Sequence, residues 1–439
     1  MTRIVCKFGG SSVADAEQFR KIKNILHSNQ ERKIVVVSAP GKRNPQESKL
    51  TDLLYSTYDL ASKNLNFAAP WKLIRERYVE ITQDLSLQSS IGEEFDKLEK
   101  DLKKNPDKLS VDFLVSRGEY LCAKIMSEFL GAKFVDSYPL IQFDSQYNVT
   151  PQSYENIAEA LSSKDALYVV PGFYGSDMQG NLKTFTRGGS DITGSILANA
   201  CDCALYENWT DVSGLLMADP RIVENAYAIS YVSYREIREL AYSGANVLHD
   251  DSIAPCRAKN IPINIKNTNS PGDHGTVIGP TPETTPRLIT GIAGRKDFSM
   301  LYIEKSMMNK EKGFGRKVLA ILEENGVSYE LSPCGIDSMN IVVDSKTLQK
   351  VEKEVCKEIE QKMQPNKIKI FSNLALIATV GHGMVSQIGT AAKLFAALAK
   401  ENINVRIIDQ GSSEINIIIG VNEFDFEKAI RAIYGEFVS

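Results

Sequence analysis

The sequence predicts an α/β chain, with a largely parallel sheet wrapped by helices, followed by two smaller α+β modules. Three features of its 439 residues carry that prediction. Short β-branched apolar runs alternate with helix-spaced ones over the first two-thirds, a proline-rich break follows, and beyond it the chain repeats itself at a fixed offset. The length exceeds what one hydrophobic core covers and points to two or three domains.

The runs at 4–8 and 33–39 end in Gly- or Pro-containing turns, and Val13, Phe19, Ile22, Ile25 and Leu26 between them have helical spacing, which makes a βαβ unit. Apolar runs at 133–135, 166–170, 203–209 and 261–265 alternate with further helical stretches. Sheets of this kind bind ligands at the carboxyl ends of their strands. Residues 52–130 differ: Leu54, Tyr58, Trp71, Ile74, Tyr78, Phe95, Leu98 and Leu121 recur at helical spacing without strand-like alternation, and predict a helical subdomain beside the sheet.

Three prolines within seven residues, Pro280, Pro282 and Pro286, can continue neither a helix nor a central strand and mark the main domain boundary. Beyond it Gly313/Gly389, Lys317/Lys393, Leu322/Leu398, Gly335/Gly411 and Asn340/Asn416 are each 76 residues apart. Each copy reads as strand, Gly-bearing loop, helix, strand, turn, strand: a pseudo-symmetric tandem pair, serving either dimerisation or ligand binding. The predicted domains are 1–285, 286–365 and 366–439.

Fifty-one Lys and Arg against 55 Asp and Glu give a net charge of −4, so neither nucleic acid nor anionic lipid is expected as partner and any phosphate site must be local. The first ten residues lack a signal-peptide core and no stretch of 18 apolar residues occurs, so a cytoplasmic protein without membrane association is expected. Seven cysteines, mostly inside apolar or helical runs, suit reduced core thiols. Cys201, Cys203 and four scattered histidines make no zinc spacing, and no metal ligands are assigned.

The first strand runs into Lys7-Phe8-Gly9-Gly10-Ser11-Ser12, where Ser12 and Asp15 have the spacing of a helix-opening capping box. Gly9 and Gly10 allow close backbone approach to an anion, and Lys7 supplies a movable charge; the plain alternative is a tight strand-to-helix turn. Thr186-Arg187-Gly188-Gly189-Ser190-Asp191 is a second glycine turn before a helix. Arg187 has the fork for a planar carboxylate, and Asp191 either pairs with Lys7 or is a first-turn helix acid. Thr210-Asp211 leads to Asp219-Pro220-Arg221, with the composition of a nucleotide lip; Arg221 either contacts polyphosphate or is a surface arginine capping a turn. Gly118-Glu119 places a carboxylate beside a glycine within the helical subdomain; the plain alternative is one more solvated glutamate.

Taken in order, Lys7 to Ser12, Ser38 with Leu50-Thr51-Asp52, Gly118-Glu119, Arg187 to Asp191, Thr210-Asp211 with Asp219-Pro220-Arg221, and Ser243-Gly244-Ala245 with Val247-Leu248-His249 resemble the aspartokinases over nearly the whole chain. The resemblance implies an amino-acid-kinase α/β sandwich followed by two ferredoxin-like ACT modules, Gln410 to Ile415 being similar to the signature of the second. It implies phosphorylation of the L-aspartate β-carboxylate by ATP, with Mg²⁺ bound mainly through the ATP phosphates. Lys7, Gly9, Gly10, Ser11 and Asp191 are then the catalytic candidates. Ser38, Thr51, Glu119, Arg187, Gly188, Gly189 and Ser190 are the aspartate-binding ones, with Glu119 on the α-ammonium and Arg187 on the α-carboxylate. Lys7, Gly10, Thr210, Asp211, Leu216, Arg221, Asn246 and Val247 are those for ATP.

Met308, Gly313, Phe314, Ser332, Asp337, Gly383 and Met384 are the candidates for an amino-acid effector, lysine alone or with threonine, in a homodimer through the ACT modules or a tetramer. No homoserine dehydrogenase segment follows Ser439, so a monofunctional enzyme is expected. Three departures stand out: Asn246 occupies the place of a common lysine, Asp250 that of a common proline after the histidine, and Leu216 that of a common aromatic. Either Lys259 substitutes for the missing cation, or turnover leans on Lys7 and Mg²⁺. The rival readings are a kinase for glutamate, acetylglutamate or another small carboxylate, and a non-catalytic amino-acid sensor.

Overall fold

The computed structural model describes residues 2–104, 106, 109–186, 188–245, 248, 250–282 and 287–438. They form two compact units, each assembled from separate stretches of chain.

The first unit comprises Met1–Leu215, Ala228–Tyr234 and Val247–Thr281. Its eight-stranded sheet has the order Tyr231–Ser233, Thr276–Gly279, Ile263–Asn267, Leu205–Thr210, Ile4–Phe8, Arg32–Val37, Tyr168–Pro171, Lys133–Phe134. All neighbours are parallel except Ile263–Asn267 with Thr276–Gly279, as the alternation of apolar runs and helices predicted. Every residue of Ile4–Phe8 is buried, which is why the strand reads as an unbroken apolar run relieved by Lys7 alone.

The helical subdomain consists of Leu50–Ser62, Ala68–Asp84, Ile91–Lys104 and Val111–Leu130. Leu54, Trp71, Tyr78, Phe95 and Leu114 belong to one core with Cys6, Phe8, Val35 and Val37, so the helices lie on the sheet rather than beside an independent core. Val111–Leu130 starts where the Ser110 hydroxyl accepts from the Phe113 N–H at 3.0 Å and stops at Gly131, whose φ of +62° terminates the helix in the left-handed region.

One local expectation fails. Ser12 does not open the first α-helix: Gly10–Val13 is a four-residue 3-10 turn, and Ala16–His27 begins after Asp15, whose carboxylate accepts from the Gln18 N–H at 3.0 Å. The glycine loop is tied down on both sides, Gly9 N to the Trp209 carbonyl at 3.0 Å and Gly41 N to the Gly10 carbonyl at 2.8 Å. A regular helix therefore starts only beyond it. Ser12 Oγ instead lies 2.7 Å from Thr268 Oγ1.

The second unit comprises Leu216–Tyr227, Arg235–Asn246 and Pro282–Ser439. Its antiparallel six-stranded sheet runs Tyr329–Leu331, Ser338–Asp344, Gly291–Glu304, Lys367–Val380, Asn416–Asn422, Ile407–Asp409. The long strands Gly291–Glu304 and Lys367–Val380 pair from Gly291↔Val380 to Glu304↔Lys367, which fuses the two repeats into one sheet. Each repeat closes with a helix that the sequence pattern did not announce, Ser345–Met363 and Phe426–Val438. In the first of these the buried stripe is narrow, Leu348, Val355, Ile359 and Met363 among lysines and glutamates.

Five of the seven cysteines are buried and all are free thiols. Among the described residues no helix is long and apolar enough to cross a membrane.

Candidate active site

Lys7 occupies the carboxyl end of the first strand, where a parallel sheet opens toward ligands. Its Nζ lies 2.5 Å from Asp191 Oδ1, with side chains only 9% and 21% exposed. Asp191 comes from the first turn of the helix Gly189–Ala200, which starts at Gly188 with φ of +58°. Asn208, on the strand Leu205–Thr210, donates to Asp191 Oδ1 at 2.8 Å and accepts from Lys7 Nζ at 3.5 Å. No motif pointed to Asn208; the available signal was a lone amide inside an apolar run, in strand register with Lys7.

The glycine loop follows directly. A side chain at Gly10 would meet the Ala39 carbonyl at 3.0 Å, and one at Gly41 would lie 2.6–2.7 Å from the Gly10 carbonyl group and Ser11 N. Gly41 is thus a second glycine that this loop requires, from a turn that in the sequence stands out only as a strand end.

Glu119 is not solvated. It is 4% exposed on the helix Val111–Leu130, and burial pushes its carboxyl up to about 8, against the pull of the Ala39 backbone N–H that donates to it. Its Oε2 has no hydrogen-bond partner among the described residues. A buried carboxylate oxygen without a donor is costly, and a donor group on a ligand would satisfy it. Leu50 packs on Gly118, which brings the amino end of Leu50–Ser62, with Thr51, to the same place. Ser38 follows the strand Arg32–Val37 and donates its N–H to the Phe8 carbonyl at 3.1 Å.

The second glycine turn packs closely: a side chain at Gly189 would lie 2.7 Å from the Phe173 ring, and one at Gly172 2.7 Å from Ser190. Gly172 N in turn donates to the Val37 carbonyl at 3.0 Å, so this turn abuts the strand end that carries Ser38. Arg187, Asn246, Val247 and His249 lie outside the described residues. Thr210 ends its strand, with its hydroxyl 3.2 Å from the exposed carboxylate of Asp211.

Leu216 and Arg221 belong to the second unit. There Arg221 is forked onto Asp219, Nη2 to Oδ2 at 2.6 Å and Nε to Oδ1 at 3.0 Å. Lys259 is not a spare cation for the phosphates: its ammonium is held by Asp202 and by the Asn199 carbonyl at 2.9 Å, at the opposite end of the helix Gly189–Ala200 from Asp191.

The model of the amino acid kinase family matches residues 2–267, and one for an ACT domain matches residues 377–437. Aspartokinase 3 of Bacillus subtilis (strain 168) is 39% identical over 448 aligned residues, which cover 99% of this chain and 98% of that one. The chain belongs to the aspartokinases, within the amino acid kinase family. The crystal structure of Clostridium acetobutylicum aspartate kinase is 47% identical, with a TM-score of 0.91 and full coverage of both chains. E. coli aspartokinase III is 25% identical over the full length of both chains; its complex with aspartate and ADP gives a TM-score of 0.78 and its complex with lysine and aspartate 0.77. As an aspartokinase, the chain carries aspartate kinase activity under allosteric control through its ACT region, which displaces both rival readings.

In that regulatory region, Gly313 and Gly389 start equivalent helices with φ of +76° and +90°. Met308 and Phe314 are buried in the core of the first module, while Asp337 is exposed and accepts from the Met307 N–H at 2.7 Å. Ser332 is partly exposed beside the strand Tyr329–Leu331. Gly383 and Met384 lie in a short 3-10 turn, where a side chain at Gly383 would strike the Arg287 carbonyl at 2.3 Å.

Proposed function

We propose that the protein transfers the γ-phosphoryl group of ATP to the β-carboxylate of L-aspartate, giving 4-phospho-L-aspartate, the first step toward lysine, threonine and methionine. The observation that carries this assignment is the unsatisfied buried carboxylate of Glu119. It suits an amino-acid ammonium, and the Ala39 backbone links it to the glycine loop beside Lys7.

In this reading Glu119 takes the α-ammonium, Arg187 the α-carboxylate, and Ser38, Thr51, Gly188, Gly189 and Ser190 complete the aspartate site. Thr210, Asp211, Leu216, Arg221, Asn246 and Val247 hold ATP. Arg221 exchanges its Asp219 partner for phosphate on binding. Lys7 and the amides of Gly10 and Ser11 stabilise the charge on the transferring phosphoryl group, while Gly9, its N–H engaged by Trp209, fixes the loop. The attacking β-carboxylate is already ionised near pH 7, so no general base is required. Mg²⁺ would arrive on the ATP phosphates and be held chiefly by their oxygens, with no side chain of this chain assigned to it.

We assign 1–285 to the kinase domain and 286–365 and 366–439 to the two ACT modules. Met308, Gly313, Phe314, Ser332, Asp337, Gly383 and Met384 line or shape the effector loops for lysine, alone or with threonine, in a cytoplasmic homodimer or dimer of dimers. The E. coli relative crystallised with lysine supports the effector class, and its ADP complex supports the nucleotide.

Steady-state turnover from Mg·ATP, trapped as the hydroxamate, tests the assignment with aspartate against glutamate and with lysine, threonine or both added. Aspartate-specific turnover that falls with an added amino acid is expected. Equal turnover of glutamate overturns the substrate, and indifference to both amino acids overturns the effector.

A further inference from the structure

Asn208 is 3% exposed, on the strand Leu205–Thr210. It stands in parallel register with Lys7 on the neighbouring strand, so the two side chains leave the sheet on the same face. Its Nδ2 donates to Asp191 Oδ1 at 2.8 Å, and its Oδ1 faces Lys7 Nζ at 3.5 Å. An ammonium only donates and a carboxylate only accepts, so these two partners fix which way the amide points.

Asp191 Oδ1 therefore receives two donors, the Lys7 ammonium at 2.5 Å and the Asn208 amide. The strand that carries Asn208 grips Asp191 a second time, through the Tyr206 hydroxyl that donates to the Asp191 backbone carbonyl at 3.1 Å. The helix start and the strand are thereby joined at both the main chain and the side chain of Asp191.

This arrangement answers a difficulty in the reaction. A lysine tightly paired with a carboxylate has its charge largely cancelled, yet the same charge must act on the transferring phosphoryl group. When the Lys7 ammonium takes phosphate as its partner, a partly buried carboxylate left with no donor would be disfavoured. The Asn208 N–H remains on that oxygen, and the Asn208 carbonyl attracts the ammonium without neutralising it.

We propose that Asn208 is a positioning residue for phosphoryl transfer: it holds Asp191 in place, so that the Lys7 ammonium keeps its position while its partner changes from carboxylate to phosphate. The proposal rests on the aspartate kinase reaction assigned above.

The test is a double-mutant cycle in steady-state phosphoryl transfer to aspartate, with the parent, Asn208→Leu, Asp191→Asn and the double variant, each checked by thermal melting. Loss of a supporting partner one layer behind a reacting group costs about tenfold or more. Asn208→Leu is accordingly expected to lower kcat about tenfold while the aspartate KM stays within about twofold. The double variant is expected to be no slower than Asp191→Asn alone, because the amide acts through the carboxylate.

A kcat for Asn208→Leu equal to the parent's overturns the proposal, as do single losses that multiply in full in the double variant. If Asn208→Leu does not fold, Asn208→Asp, equal in size and still able to accept from Lys7, takes its place in the cycle, and the same two results overturn the proposal. A parent that turns over no aspartate contradicts the reaction and this role together; an active parent with indifferent Asn208 variants contradicts the role alone.

Discussion

Ala39 donates its backbone N–H to the buried carboxyl group of Glu119, while its carbonyl oxygen lies 3.0 Å from where a Cβ on Gly10 would stand. One residue thus couples the proposed ammonium pocket to the proposed phosphate loop, and fixes the distance between the two ends of the reaction by backbone alone.

Glu119 should give the protein a characteristic pH dependence. Its carboxyl, 4.5 in an ordinary setting, is raised to about 8 by burial. Between these values the folded protein keeps a proton that the unfolded chain has released. The group's contribution to stability is therefore full below 4.5, declines as pH rises and is gone above about 8. Melting of the substrate-free protein across this range checks it: the midpoint of the parent should fall relative to Glu119→Gln as pH increases. An α-ammonium favours the ionised carboxylate, so the parent's aspartate affinity should improve toward pH 8, and Glu119→Gln should raise the aspartate KM about tenfold or more.

Gly41 should tolerate a side chain less well than Gly10, whose Cβ would lie 3.0 Å from the Ala39 carbonyl. A Cβ there meets only backbone, Gly10 C at 2.6 Å and Ser11 N at 2.7 Å, so the loop itself must move. Gly41→Ala is expected to lower kcat about tenfold or more, since a displacement of about 1 Å at a reacting centre costs up to about 100-fold. Gly92→Ala, where a Cβ meets nothing within 4 Å, is the control and should keep parental kinetics.

Lys259→Ala is expected to leave kcat and the ATP KM within about twofold of the parent, because that ammonium is occupied by Asp202 and Asn199. Asn246→Lys, which restores the cation common in the family, should lower the ATP KM. Unchanged ATP kinetics in Asn246→Lys would show that the asparagine is no deficit in this enzyme.

The fold is largely legible in the sequence because its central strands are buried on both faces and because the two regulatory repeats keep their glycines in step. The Lys7–Asp191 pair follows from charge complementarity between two glycine turns. Local sequence leaves Glu119 open between a site carboxylate and a solvated one, since its burial comes from Ala39, Leu50 and the helix Val111–Leu130 meeting, none of which is near in sequence apart from the helix itself. Ser12 has the spacing of a cap, but hydrogen bonds from Gly9 and Gly41 hold the chain in another conformation. Asn208 gives no signal beyond a polar residue in an apolar run, and the closing helix of the first repeat, Ser345–Met363, is hidden by its lysines and glutamates.

The central claim, that the Lys7 charge at the glycine loop drives phosphoryl transfer to aspartate, is tested most directly by Lys7→Ala with aspartate binding and kcat measured on the same preparation. Loss of one preorganised charge or donor at a transition state costs about 10²–10³ in kcat. A fall of that size with aspartate affinity retained is predicted; undiminished turnover in Lys7→Ala would contradict the account.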